Sequence, residues 1–184
     1  MRRLVLWLLV AGALAACSAP RATATPTPSD ATAQCRLEAA RRAVQLELAR
    51  YRGWLDNETD PARRQAFTAA IRHLEKLQAN LAAATPATFD VAQTWQAVPG
   101  DMFPFDAGAT RPEPITLDEA WLDAGDPPQV HFPQQSRSGP FYLVTATAVT
   151  PVPPAGEHHT MVLHPVMPQS YPFPAFYVCL AEVR

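Results

Sequence analysis

The side chains able to do chemistry in this 184-residue chain are few and scattered: three cysteines, Cys17, Cys35 and Cys179, and five histidines, four of them at positions 131, 158, 159 and 164. His158 and His164 fall on the same side of an extended strand. At about 3.3 Å per residue they are roughly 20 Å apart, too far to share one metal ion. Asp118, Asp123 and Asp126 could offer oxygens to calcium, but the alternating acidic loop with its glycine is missing. Thr116 and Glu119 read instead as a capping box opening a short helix that stops near Gly125. With seven dispersed glycines the chain has no phosphate loop, dinucleotide fingerprint or nucleophile elbow, and it lacks paired zinc motifs. The sequence therefore assigns no catalytic residue, no cofactor and no metal.

Cys17 is different, because of what precedes it. Arg2 and Arg3 lead into an uncharged apolar run from Leu4 to Ala16, the pattern of a signal peptide. As a helix this run rises roughly 20 Å against a hydrocarbon core of about 30 Å, too short to span comfortably. Leu14-Ala15-Ala16-Cys17 resembles the lipobox of bacterial lipoproteins, and the resemblance covers only this export segment. It implies a diacylglycerol on the Cys17 thiol, cleavage before Cys17, and membrane lipid as the first partner. Several acyl chains, each CH₂ contributing about 0.8 kcal/mol, would make attachment effectively permanent. Ser18, where an aspartate commonly retains such proteins in an inner membrane, favours the outer membrane if the source cell has two.

Lipid on Cys17 would leave Cys35 and Cys179 as the only thiols, and an exported compartment permits their oxidation. A disulfide between them is expected. The alternative is a buried Cys179 thiol on a strand face with Tyr177, Ala181 and Val183, and a separate Cys35 near the tether.

The segment from Ser18 to Gln34, rich in Thr, Pro and Ser with no large apolar side chain, reads as a disordered tether for residues 17–34. Leu37, Ala40, Val44, Leu48, Tyr51 and Leu55 then recur at helical spacing. Asp60-Pro61 gives an N-cap and a first-turn proline for a second helix, whose seam is Phe67, Ala70, Leu74, Leu77 and Leu81. Residues 35–83 are expected to form an antiparallel helical hairpin. After Ala84 the texture changes, with 16 of the 20 prolines between Pro86 and Pro174, which argues against long helices. Strands are expected over 140–150, 159–167 and 174–183, the first apolar on both faces and so covered on both. The fold class is α+β: the hairpin packed on a small antiparallel sheet or half-open barrel within residues 84–184.

Cleavage at Cys17 would remove two bases and no acid, taking the net charge from −2 to −4, so nucleic acid is not an indicated partner. Residues 90–126 hold eight acids and one base, Arg111, interleaved with aromatic residues. Tyr171, Phe173, Phe176 and Tyr177 form a candidate recognition surface. The expected function is a lipid-anchored, non-catalytic binding or assembly module of the bacterial envelope, its partner an envelope protein or polymer. An envelope hydrolase, or a metal or small-ligand capture protein, is the alternative.

Overall fold

In the computed structural model of the chain, residues 28–96, 113–133, 140–145, 152–167 and 175–184 are described. Three helices come first: α1 (Pro28–Asn57), α2 (Pro61–Ala83) and α3 (Val91–Gln96). Residues 28–34, read from sequence as the end of the tether, already belong to α1, and Ala31 there is buried. The tether before residue 28 and the whole export segment lie outside the described residues.

α2 begins as its sequence dictates. Asp60 caps it by accepting from the Arg63 amide, and Pro61 occupies the first turn, where its missing N–H leaves no bond unmade. The buried seam of α2 is Ala70, Leu74, Leu77 and Leu81. α2 packs on α1: Arg64 lies by Leu55, Arg52 pairs with Glu75 at 2.8 Å, and Arg41 reaches Leu81. Each helix end is closed by an arginine of the other. Arg41 donates to the carbonyls of Leu81 and Ala84 at the end of α2, and Arg64 to those of Leu55 and Glu58 at the end of α1. A cation there satisfies orphan carbonyls and complements the negative end of the helix dipole.

Among the described residues five strands follow: β1 (Ile115–Asp123), β2 (Gln129–His131), β3 (Phe141–Thr145), β4 (His159–Pro165) and β5 (Phe176–Val183). They close a barrel in the order β1-β2-β3-β5-β4, antiparallel throughout except for the β3–β5 pair. The sequence led towards a small sheet or half-open barrel, and closure removes the edges a small sheet would expose. The run β4-β1-β2-β3 is a Greek key.

The capped helix expected at 116–125 is replaced by strand β1. Thr116 pairs with Val162 and Leu117 with Met161, and the register slips before Ala120 meets His159. The slip falls at Glu119, whose φ of 53° places a non-glycine residue in the left-handed region, a conformation that some bulges adopt. Two exposed residues, Asp118 and Glu119, therefore sit side by side between the inward pairs Ile115, Leu117 and Ala120, Leu122.

Two cores result. One fills the barrel with Ile115, Leu117, Leu122, Phe141, Leu143, Met161, Leu163, Val178 and Leu180 among others. The other joins the helices to the barrel's outer wall, combining Cys35, Val44, Leu48, Leu74, Leu77 and Trp95 with Val166, Tyr177 and Cys179. β5 belongs to both, because its side chains alternate: Val178 and Leu180 point into the barrel, Tyr177 and Cys179 towards the helices. The two-sided character expected for β3 is also present, with Phe141 and Leu143 inside and Tyr142 and Val144 packed against the helical core.

Leu74, fully buried in mid-helix, gives a direct check on α2. Leu74→Pro removes a helical hydrogen bond and the seam packing, so it should destabilise by about 3 kcal/mol or more. Thermal denaturation should show the midpoint falling by roughly 10 °C or more, and an unchanged midpoint would contradict the packing described.

Candidate functional site

Cys35 and Cys179 come together at disulfide distance, with Cα atoms 6.1 Å apart and 144 residues between them in sequence. Both are fully buried. They join the first half of α1 to β5, as elimination among the thiols suggested. Cys17 lies outside the described residues.

Twelve residues further along α1, a second joint reaches the same strand. Glu47 is fully buried, and the Tyr177 hydroxyl donates to its Oε1. Arg50 stands over the pair, with Nη1 3.1 Å from Glu47 Oε1 and Nη2 donating to the Tyr177 oxygen at 3.2 Å. Tyr142 of β3 stacks on the Tyr177 ring at 5.8 Å between centroids. Burial pushes the Glu47 carboxyl above its ordinary range, outweighing the hydrogen bond from Tyr177 and the attraction of Arg50. Burial, then the hydrogen bond and charge of Glu47, push the Tyr177 phenol upward as well. Glu47 Oε2 has no partner among the described residues. The cluster is enclosed between helix and strand, and its chemistry is that of a joint.

Of the four aromatic residues read as a recognition surface, Tyr171 and Phe173 lie outside the described residues. Tyr177 is an interior residue, 1% exposed, because β5 is covered by helices on that face. Phe176 is half-buried and stacks on Phe141 at 4.8 Å.

The histidines do not converge on one centre. On the outer wall of the barrel Trp121 is stacked between His131, its cross-strand neighbour on β2, at 5.5 Å and His158, just before β4, at 4.9 Å. Asp123 Oδ2 lies 2.6 Å from His131 Nε2, within ion-pair distance but out of hydrogen-bond alignment, while Asp123 Oδ1 accepts from the Trp121 indole at 3.3 Å. His159 pairs with Glu157 at 3.2 Å. His164 faces α1, and burial followed by the charge of Arg36 lowers its pKa. Among the described residues no three His, Cys, Asp or Glu side chains gather to hold a metal ion.

Sequence reasoning missed an open cleft where α1 ends and α2 begins. It has a volume of about 380 Å³ and is lined by Gly53, Trp54, Asn57, Glu58, Arg63 and Phe67. Trp54 is 42% exposed. Tyr51 meets it edge-on at 5.1 Å and Phe67 lies at 5.7 Å, so the indole is held in place. The available signal was a tryptophan beside a glycine, off the stripe of Tyr51 and Leu55. The chain matches no protein-family model, no curated protein and no solved structure.

Two outcomes test the joints. Non-reducing mass spectrometry should recover the peptides of Cys35 and Cys179 linked, and recovery of both as free thiols from protein alkylated before lysis would contradict the bridge. For Glu47, a folded pKa raised above the unfolded one means that its contribution to stability is full below about pH 4.5 and is lost as pH rises through the folded value. Glu47→Gln cannot ionise. Denaturant unfolding across pH 4 to 8 should therefore show wild type losing stability relative to Glu47→Gln as pH rises, whereas parallel profiles would place the carboxyl in its ordinary range.

Proposed function

We propose that this chain is a lipid-anchored protein of the bacterial envelope that acts as a binding module without catalysing a reaction. The address rests on one run of sequence, Arg2-Arg3, the apolar Leu4 to Ala16, and Leu14-Ala15-Ala16-Cys17. The binding role rests on one observation, the aromatic cleft presented where α1 meets α2. In this reading α1 and α2 form an antiparallel hairpin that serves as a stiff arm. From Pro28 to Trp54 the arm measures about 39 Å at 1.5 Å per residue, and the cleft lies near the C-terminal end of α1.

Away from the cleft, the principal titratable groups are paired with one another. Glu47 is spent on Tyr177 and Arg50, and His159 on Glu157. Asp123 is shared between an imidazole and an indole. Among the described residues no helix is long and apolar enough to cross a membrane, so in this reading the anchor is the lipid.

The test is detergent partitioning of wild type and Cys17→Ala expressed in a bacterial host. Wild type should enter the detergent phase and the variant should remain in the aqueous phase. Identical partitioning of the two into detergent would remove the anchoring argument.

A further inference from the structure

We infer that the cleft between α1 and α2 binds a saccharide ring, stacked on Trp54. Three independent features point there. The first is Gly53, which lies inside a 30-residue helix where glycine is among the least favourable residues. Packing does not demand it, since a Cβ built on Gly53 meets nothing within 4 Å. What the missing side chain does is leave space in the cleft that Gly53 lines.

The second is the preparation of the indole. Trp54 is fixed by Tyr51 and Phe67, yet it is the one large aromatic side chain among the described residues that is exposed. A ring already held in its bound orientation loses little freedom when a ligand stacks on it.

The third is the rim. Asn57 Nδ2 donates to the Gly53 carbonyl at 2.7 Å. Glu58 Oε1 accepts from the amides of Thr59 and Asp60, and its Oε2 lies 3.2 Å from Arg63 Nε. These contacts hold an amide, a carboxylate and a guanidinium around an aromatic face, while the Arg63 side chain remains 70% exposed. A sugar ring presents an apolar C–H face to the indole and hydroxyls at its edge to such groups. An apolar peptide side chain laid on the indole would instead cover the remaining polar atoms of Asn57 and Arg63 without offering them a hydroxyl. At about 380 Å³ the cleft is at the small end of the roughly 300–1,000 Å³ typical of ligand sites, a size suited to one or two rings of a longer glycan.

This deepens the binding-module reading, but its test is independent of the lipid. The mature protein, in a detergent without sugar headgroups, is titrated by calorimetry with a tetramer of β-linked N-acetylglucosamine, a galacturonate tetramer and a proline- and phenylalanine-rich peptide. At least one glycan should bind saturably below about 10 mM. Gly53→Gln fills the cleft and favours the helix, so it should melt at or above the wild-type temperature while weakening binding by about tenfold or more. Trp54→Ala should weaken it equally, and Trp121→Ala, in the barrel's aromatic stack and outside the lining of the cleft, should leave it unchanged. Saturation by neither glycan, saturation by the peptide alone, or wild-type affinity in a folded Gly53→Gln would each overturn the assignment.

Discussion

The whole structure hangs on β5 being buried on both faces. Its inward side chains, Val178 and Leu180, close the barrel, and its outward ones, Tyr177 and Cys179, form the floor on which α1 lies. A strand whose two faces belong to different cores couples them. Neither the barrel nor the helical layer can lose β5 without exposing the apolar surface of the other.

The contact of α1 with this floor is fixed at two points of different chemistry. Cys35 and Glu47 lie on one row of α1 at four-residue steps, with Ala39 and Ala43 between them, all fully buried. Small side chains on that row let the helix approach closely. Along α1 the two joints are about 18 Å apart, whereas Cys179 and Tyr177 are only about 6.6 Å apart along β5. The long side chains of Glu47 and Tyr177 make up the difference. A buried carboxyl is costly unless its partners are well placed, and here a phenol and a guanidinium both point at it. An apolar contact would tolerate rotation of α1 about its axis. A hydrogen-bonded acid tolerates much less, so this joint sets which face of α1 meets the barrel and, with it, where Trp54 is carried.

The parts of this arrangement that were legible in the sequence are those with a single period or a single solution. The seam of α2 and its Asp60-Pro61 start follow the chain's pattern directly, and the partner of Cys35 followed from counting thiols. The second face of α1 was not legible, because the small Cys35, Ala39 and Ala43 do not stand out in an alanine-rich helix and the row ends on a charged residue, Glu47. β1 was misread for a definite reason. Thr116 with Glu119 mimics a capping box, and the bulge at Glu119 breaks the strict alternation of a strand, spacing the inward residues 115, 117, 120 and 122 two, three and two apart. β2, with three residues, is too short for any periodicity. The cleft depends on the turn that brings Phe67 beside Trp54, and that proximity is a property of the fold alone.

If β5 couples the two cores, the helices and the barrel should unfold as one unit. Native-state hydrogen exchange of the oxidised protein measures this directly, amide by amide. The most protected amides of α1 and those of β5 should open with the same free energy, within about 1 kcal/mol, and respond alike to denaturant. Exchange of the α1 amides through an opening several kcal/mol cheaper than that of β5, with the barrel still closed, would contradict the coupling.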